Sequence, residues 1–440
     1  MIPALIAPVI AAATLQQPAL VPDRLELVRA TDAKPVAALR LEVLLDAVRA
    51  RNPDLIALDE ERAAAIDRAI AAGSFPHPSL GFGVSNLPVD SLSFDQDMMT
   101  MKEVMIGQRF PWFGKRELRR DLVEQNAALA EAARRSQQLA LEEAAIGAYA
   151  NLWLATASVA VVEEQKEALA RFAQIARARY AAGGGSQSDL LRADVELARM
   201  EDPLLELEEM EIAARATLAS LANASFDAVQ GAPEMPPLPP LPDDPGALLA
   251  RIASHPEVAA LEEQAKRSEI EARLEARNRW PDPTVQLVYG QRNDAPDMVG
   301  AQVMFDIPVF AGSKEDRLAA AARTEAKALR NRREAVVRRM EGEARAAFSA
   351  ARRQERLIRL FEEEIVPRAE RNLTAAIGAY QAGTVDFLTL LDARVQLQSQ
   401  RLEALRARAS YLRAVARLSR TTGVSLFATS TGAASEVENG

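Results

Sequence analysis

VMIGQRFPWFGKRELRR, residues 104–120, begins as a strand and ends as a helix. Val104 and Ile106 alternate with Glu103, Met105 and Arg109, the period-two pattern of a chain with one apolar face. The alternation stops at Phe110-Pro111; after Gly114 no proline occurs before Tyr180. A short amphipathic strand is therefore joined directly to a helix of unusual length, roughly 100 Å for 115–180 at about 1.5 Å per residue.

The same joint occurs twice. RFPWFGKRELR (109–119) returns as DIPVFAGSKEDR (306–317), and LEVLLDAVRARNPDL (41–55) as GALLARIASHPEV (246–258). FPHPSLGFGV (75–84) returns as WPDPTVQLVYG (280–290), and YAAGGGSQSDLLRADVELA (180–198) as YQAGTVDFLTLLDARVQLQ (380–398). An offset near 200 residues marks an internal duplication. Between the copies lies the proline-dense APEMPPLPPLPDDPG (232–246), which can be neither helix nor central strand.

The chain divides accordingly. A first repeat, 21–230, is expected to carry a short helix and a helix over 41–74, helices over 113–181 and 187–222, and strands over 78–87 and 101–111. A linker spans 231–245. A second repeat, 246–426, is expected to carry helices over 246–279, 313–381 and 385–422 and strands over 283–292 and 298–308. Pro367 should bend or break the helix that contains it. The apolar opening, 1–20, reads as a signal-like segment with Ala11-Ala12-Ala13 as its cleavage site, and 427–440 as a disordered tail.

Composition narrows the function. The 440 residues are 26% charged and only 5% aromatic, which suits long helices. A net charge of −9 argues against a nucleic-acid partner. The absence of cysteine removes thiol nucleophiles, Cys-based metal sites and a lipidated N-terminal cysteine. Two distant histidines, His77 and His255, read as structural. No nucleophile–base pair or phosphate-binding loop is present, so no enzyme, cofactor or metal site is expected. No run reads as long enough for a membrane-spanning helix.

The strands admit two readings. They could pack one apolar face on helices in a soluble α+β protein, or cross a membrane. Aromatics gather at one end of all four: Phe75, Phe110, Trp112, Phe113, Trp280 and Phe310. That is the pattern of an interfacial girdle. The opposite ends carry the hairpin loops. Four strands cannot close a barrel, and lipid tolerates no open edge, so the membrane reading requires strands shared among subunits. A soluble coiled-coil scaffold is the alternative of a different class.

At this point the chain resembles the TolC-type outer-membrane efflux proteins over about 41–426, on the double repeat, the two strand-to-helix joints and the two helix turns. The stretch NLPVDSLSFDQDMMTMKEV (86–104) is similar to the heavy-metal branch typified by CzcC and CusC. The resemblance implies a mainly α fold with a small membrane β portion: a homotrimer with a shared 12-stranded barrel and an α-helical periplasmic barrel. It implies the exit duct of a tripartite pump for heavy-metal cations or drugs, with a periplasmic adaptor and an inner-membrane transporter of the RND type as partners. A type I secretion channel is the alternative within the family.

It places both turns at the periplasmic tip, with Gly183, Gly184, Gly185, Ser186, Gly383, Thr384 and Val385 as adaptor-docking loops. Asp189, Arg192, Tyr380, Thr389 and Asp392 fall at the aperture. Arg192 and Thr389 stand where an acidic residue is expected, and Val385 where some members carry a basic latch. Glycine helix caps and solvated helix-face charges account equally for these residues. Met98, Met99, Met101 and Met105 have the soft donors that suit Cu(I) or Ag(I), but an ordinary methionine-rich loop explains them as well.

Overall fold

A computed structural model describes residues 38–181, 186–293 and 295–427. The signal-like segment, Gly183 to Gly185 and the tail after Phe427 lie outside the described residues.

The first repeat opens with α1 (Leu41–Arg51) and α2 (Pro53–Ala72). The short helix and the helix expected over 41–74 meet at Asn52, whose Oδ1 accepts from the Asp54 N–H at 3.0 Å and caps α2 ahead of Pro53. Then come β1 (Ser79–Ser85), β2 (Met101–Arg109), α3 (Lys115–Ala181), α4 (Gln187–Arg199) and α5 (Glu201–Leu221). The helix read over 187–222 is in two pieces, which meet at Met200 three residues before Pro203. A proline in the first turn of α5 has no N–H to lose there, so a new helix starts where an old one could not continue.

The second repeat holds α6 (Gly246–Ala250), a 3-10 turn, α7 (Pro256–Arg277), β3 (Pro283–Gln291), β4 (Met298–Phe305), α8 (Glu315–Arg359), α9 (Val366–Gln381) and α10 (Phe387–Thr422). Between α8 and α9 the six residues Leu360–Ile365 form a π-helical turn. Pro367 supplies no N–H to the helix behind it, and one wider turn absorbs that loss without a break.

The strands form one antiparallel sheet in the order β1-β2-β3-β4, so β2 and β3 join the two repeats. The register aligns Leu80, Ile106, Leu287 and Ala301 across the sheet, and likewise Phe82, Val104, Tyr289 and Val299. The opposite face aligns Gly81, Met105, Val288 and Gly300, and Gly83, Glu103, Gly290 and Met298. The strands are shorter than the pattern suggests. β1 ends at Ser85 because Asn86 turns with φ 54°, and β4 ends before Pro308.

Among the described residues no helix covers the apolar face. Phe82 is 75% exposed and Val299 78%. In water each such side chain forgoes about 1.5–3 kcal/mol of burial. Packing on helices, the soluble reading of the strands, is therefore not what the fold does.

The helices build their own core. Leu45, Tyr149, Leu152, Leu218, Ile252, Tyr411 and Leu412 lie in one buried cluster shared by both repeats. The linker is strapped onto it. The Tyr149 hydroxyl lies 2.7 Å from the Leu39 carbonyl and 2.6 Å from that of Glu234, and the Tyr411 hydroxyl donates to the Pro239 carbonyl. Burial pushes both phenols up to about 12.

Among the described residues one helix, α3, is long and apolar enough to cross a membrane by length and composition, which corrects the expectation that no run would be. Its uncharged segment, 144–162, instead supplies Tyr149, Leu152 and Trp153 to the shared core, and most of the apolar window is buried. A second, smaller cluster lies at the far end of α3 around Leu169, Tyr380, Phe387 and Leu390.

Candidate functional site: the membrane joint and the helical tip

At the joint the chain leaves the sheet through Phe110-Pro111 and enters α3 after Gly114, whose φ of +81° suits glycine. Trp112 stacks on Trp280 of the other repeat at 5.5 Å and 7°, and meets Phe113 edge-on. Phe75 meets Phe110 edge-on at 6.2 Å. Five of the six predicted interface aromatics are thus gathered at one end of the sheet. Phe310 touches no other ring among the described residues and stands 74% exposed.

Beneath the indoles lies a feature the sequence reading missed. Lys115 is 3% exposed, and its Nζ donates to Asp282 Oδ1 and to the Trp280 carbonyl, both at 2.7 Å. Asp282 also accepts from the Trp112 N–H at 2.9 Å and lies 3.6 Å from Arg109, which bonds Asp306 as well. Burial works to raise the Asp282 pKa. The Lys115 and Trp112 hydrogen bonds and the Lys115 and Arg109 charges outweigh it and hold the carboxyl below its ordinary value. The only sequence signals were Lys115 in one joint and an aspartate between prolines in WPDP; nothing local couples positions 167 residues apart.

The two faces of the sheet differ chemically. Beside the apolar face, the other presents glycines, a Gln302–Gln286 amide pair and a Ser85 hydroxyl donating to Glu103 at 2.6 Å. Such a sheet can face lipid on one side and a polar lumen on the other.

At the opposite end of α3 lies the tip. Gly383 takes φ +73°, and the Gly383 and Thr384 N–H groups close onto the Tyr380 and Ala379 carbonyls, so α9 ends in a glycine cap. Asp386 then caps α10, accepting from the Thr389 N–H at 2.9 Å and its hydroxyl at 2.6 Å. The Thr389 hydrogen bond foremost, with the Arg192 charge as a lesser aid, lowers the Asp386 pKa. In the first repeat Ser186 caps α4 through the Ser188 N–H at 3.1 Å.

Tyr380 is buried in the small cluster, edge-on to Phe387 at 6.0 Å, with the Arg179 guanidinium of α3 4.6 Å from its ring centroid. Val385 packs against the same cluster. Asp189 is half-buried and Asp392 exposed, and neither has an ion-pair partner among the described residues. One turn or more behind the tip, Glu164 of α3 receives Arg394 at 3.2 Å and Arg401 at 2.9 Å, and Arg401 also holds Glu370 of α9 at 2.7 Å. This network was also missed, because its members are scattered along three helices.

A family model described as outer membrane efflux protein matches residues 44–224 and 250–424, one segment for each repeat. The chain belongs to that family. Its members form trimeric outer-membrane channels that work with adaptors and inner-membrane transporters. Four strands per chain are then a third of a 12-stranded barrel, and this chain is an outer-membrane efflux channel with a helical barrel beneath the strands.

Among its relatives is the cobalt-zinc-cadmium resistance protein CzcC of Cupriavidus metallidurans, 25% identical over 298 residues, 66% of this chain and 70% of CzcC. In fold the efflux channel is similar to CusC, with a TM-score of 0.75, 17% identity and coverage of 94% and 99% of the two chains. It is likewise similar to the outer membrane protein VceC of Vibrio cholerae, with a TM-score of 0.72, 18% identity and coverage of 88% and 96%.

Proposed function

We propose that this channel is the exit duct of a heavy-metal-cation efflux assembly, built as a homotrimer and opened by a periplasmic adaptor that also links it to an inner-membrane transporter of the RND type. The observation that carries the conduit is the sheet whose exposed face is apolar, with glycines and polar side chains such as Glu103, Gln286 and Gln302 on the other. The metal cargo rests on the likeness to CzcC. The conduit performs no catalysis and needs no cofactor. The barrel and its aromatics, Phe75, Phe110, Trp112, Phe113, Trp280 and Phe310, hold it at the membrane boundary, while the helices reach into the periplasm.

In this reading Ser186, Gly383, Thr384 and Val385, with Gly183 to Gly185, form the docking loops. Tyr380, Thr389, Asp189, Arg192 and Asp392 line the aperture. The adaptor opens the tip by binding its open form better than its closed one, the only way a ligand shifts such an equilibrium. Shortness of the turns supports the docking role, and the Arg179–Tyr380 contact between α3 and α9 supports a closed resting state.

The test is tolerance to cobalt, zinc and cadmium in a host lacking the channel. Loss of tolerance, restored by the wild-type chain, supports the reading. Unchanged tolerance to all three cations alongside new sensitivity to organic toxicants would overturn the metal assignment.

A further inference from the structure

A pocket of about 670 Å³ opens at the joint, within the range that holds a small-molecule ligand. Phe75, Phe110, Trp112, Arg116, Glu117 and Arg120 are among its lining residues. Phe110 continues the even-numbered face of β2 that carries Val104 and Ile106, so the pocket lies at the foot of the lipid-facing side of the sheet. Apolar strands above, aromatic rings at the boundary and guanidinium groups below follow the polarity of a phospholipid.

The basic groups are held ready for an anion. Arg116 Nε donates to the Gly73 carbonyl at 2.9 Å, and its guanidinium sits 3.6 Å from the Phe75 ring centroid. That fixes the fork while leaving its two terminal nitrogens without a carboxylate partner among the described residues. Arg120, one turn along the same helix face, has only exposed contacts to Asp121 at 3.4 Å and Glu124 at 3.9 Å. Glu117, which also lines the pocket, makes no ion pair with a described residue. Two guanidiniums beside one carboxylate complement a head group that carries a phosphate and, two carbons away, an ammonium.

We propose that this pocket binds the phosphoethanolamine head group of a phospholipid in the leaflet nearer the helices, phosphate on Arg116 and Arg120 and ammonium on Glu117. The inference rests on the membrane reading of the sheet.

The experiment is native mass spectrometry of the detergent-solubilised protein titrated with phosphatidylethanolamine or phosphatidylglycerol. The wild type is expected to retain phosphatidylethanolamine over phosphatidylglycerol. Arg116→Gln with Arg120→Gln should weaken that binding by about tenfold, the scale of a lost charged hydrogen bond. Arg120→Gln alone, at an exposed position, should weaken it by about threefold without disturbing the Phe75 stack. Glu117→Gln should lower phosphatidylethanolamine retention to that of phosphatidylglycerol, erasing the preference between the two lipids. Equal lipid retention by wild type and the double variant would overturn the site, as would a wild-type trimer that retains neither lipid. Absence of any trimer from the membrane fraction would instead sink the membrane reading itself.

Discussion

The joint and the tip stand at the two ends of α3, and they are held by different kinds of interaction. At the joint a buried lysine and a buried aspartate from different repeats share a carbonyl, a backbone N–H and a second cation beneath two stacked indoles. At the tip the caps are exposed, the apolar cluster is small, and α3 and α9 are joined by a guanidinium over a ring and by the partly exposed Glu164–Arg401–Glu370 network behind it. Removing one member of a buried ion pair leaves an uncompensated charge, whereas a cation–π contact between a half-buried guanidinium and a ring contributes about 0.5–2 kcal/mol. The contacts at one end of the helix are buried and charged and those at the other are weaker, which in the proposed reading leaves the tip the easier end to open. A duct anchored in a membrane and opened at its far end needs that asymmetry.

The largest expected effect is therefore at the joint. Asp282→Ala should cost about 3–5 kcal/mol, since it strands Lys115 in the interior, and should abolish heat-resistant trimer on unboiled gels. Lys115→Met should be milder, because Asp282 keeps the Trp112 N–H and Arg109. If the two variants assemble as well as wild type, the joint is not the rigid end.

Next comes the tip. Tyr380→Ala removes a ring buried against Phe387 and should raise single-channel conductance in planar bilayers, whereas Tyr380→Phe should leave it near the wild-type value, because the ring and not the hydroxyl makes the described contacts. A large increase from Tyr380→Phe would show instead that a hydroxyl bond holds the aperture. Arg394→Ala and Arg401→Ala together should release Glu164 and Glu370 and enhance the opening produced by Tyr380→Ala.

A smaller effect concerns pH, in the core between the two ends. His255 caps α7 by accepting from the Glu257 N–H at 3.2 Å, and its Nε2 lies 3.0 Å from the Arg420 carbonyl. Burial, foremost, lowers its pKa. Since the folded pKa lies below the unfolded one, the unfolded chain takes up the proton first. Stability is then at its full value above about pH 6.5 and declines as pH falls from there through the folded pKa. Thermal unfolding in detergent between pH 7.5 and 5 should show the decline, and His255→Asn, which keeps a capping acceptor, should flatten it. A slope unchanged by that substitution would assign the effect to carboxylates elsewhere.

The smallest effect is at the caps. Asp386→Asn should cost no more than about 0.5 kcal/mol, because asparagine caps as well as aspartate. Tip opening unchanged by this variant but sensitive to Tyr380→Ala would place the switch in the apolar cluster rather than in the turn.

The joint and the duplication were legible in the sequence because each is written locally: alternation before Phe110-Pro111, periodicity after Gly114, and a second copy to compare. The helix division at Met200 was missed because a long apolar period hides a break within it. The charge-free stretch of α3 went unweighed as a spanning candidate because glycine, asparagine and threonine interrupt its apolar run; only the packing of Tyr149 and Leu152 shows where it goes. Of the tip residues, Gly383 stood out as a helix cap and Tyr380 through the family resemblance, but Arg179 and Asp386 did not, since their roles depend on which helix lies opposite. Lys115–Asp282 and Glu164–Arg394 were beyond reach for the same reason: long-range pairs leave no local periodicity.

The most direct test of the central claim, that an unclosed four-stranded sheet is a third of a membrane barrel, is the mass of the protein extracted from outer membranes. The account predicts a detergent-dependent species at three times the protomer mass, resistant to unfolding until boiled. A monomer or dimer that stays in solution without detergent would contradict it.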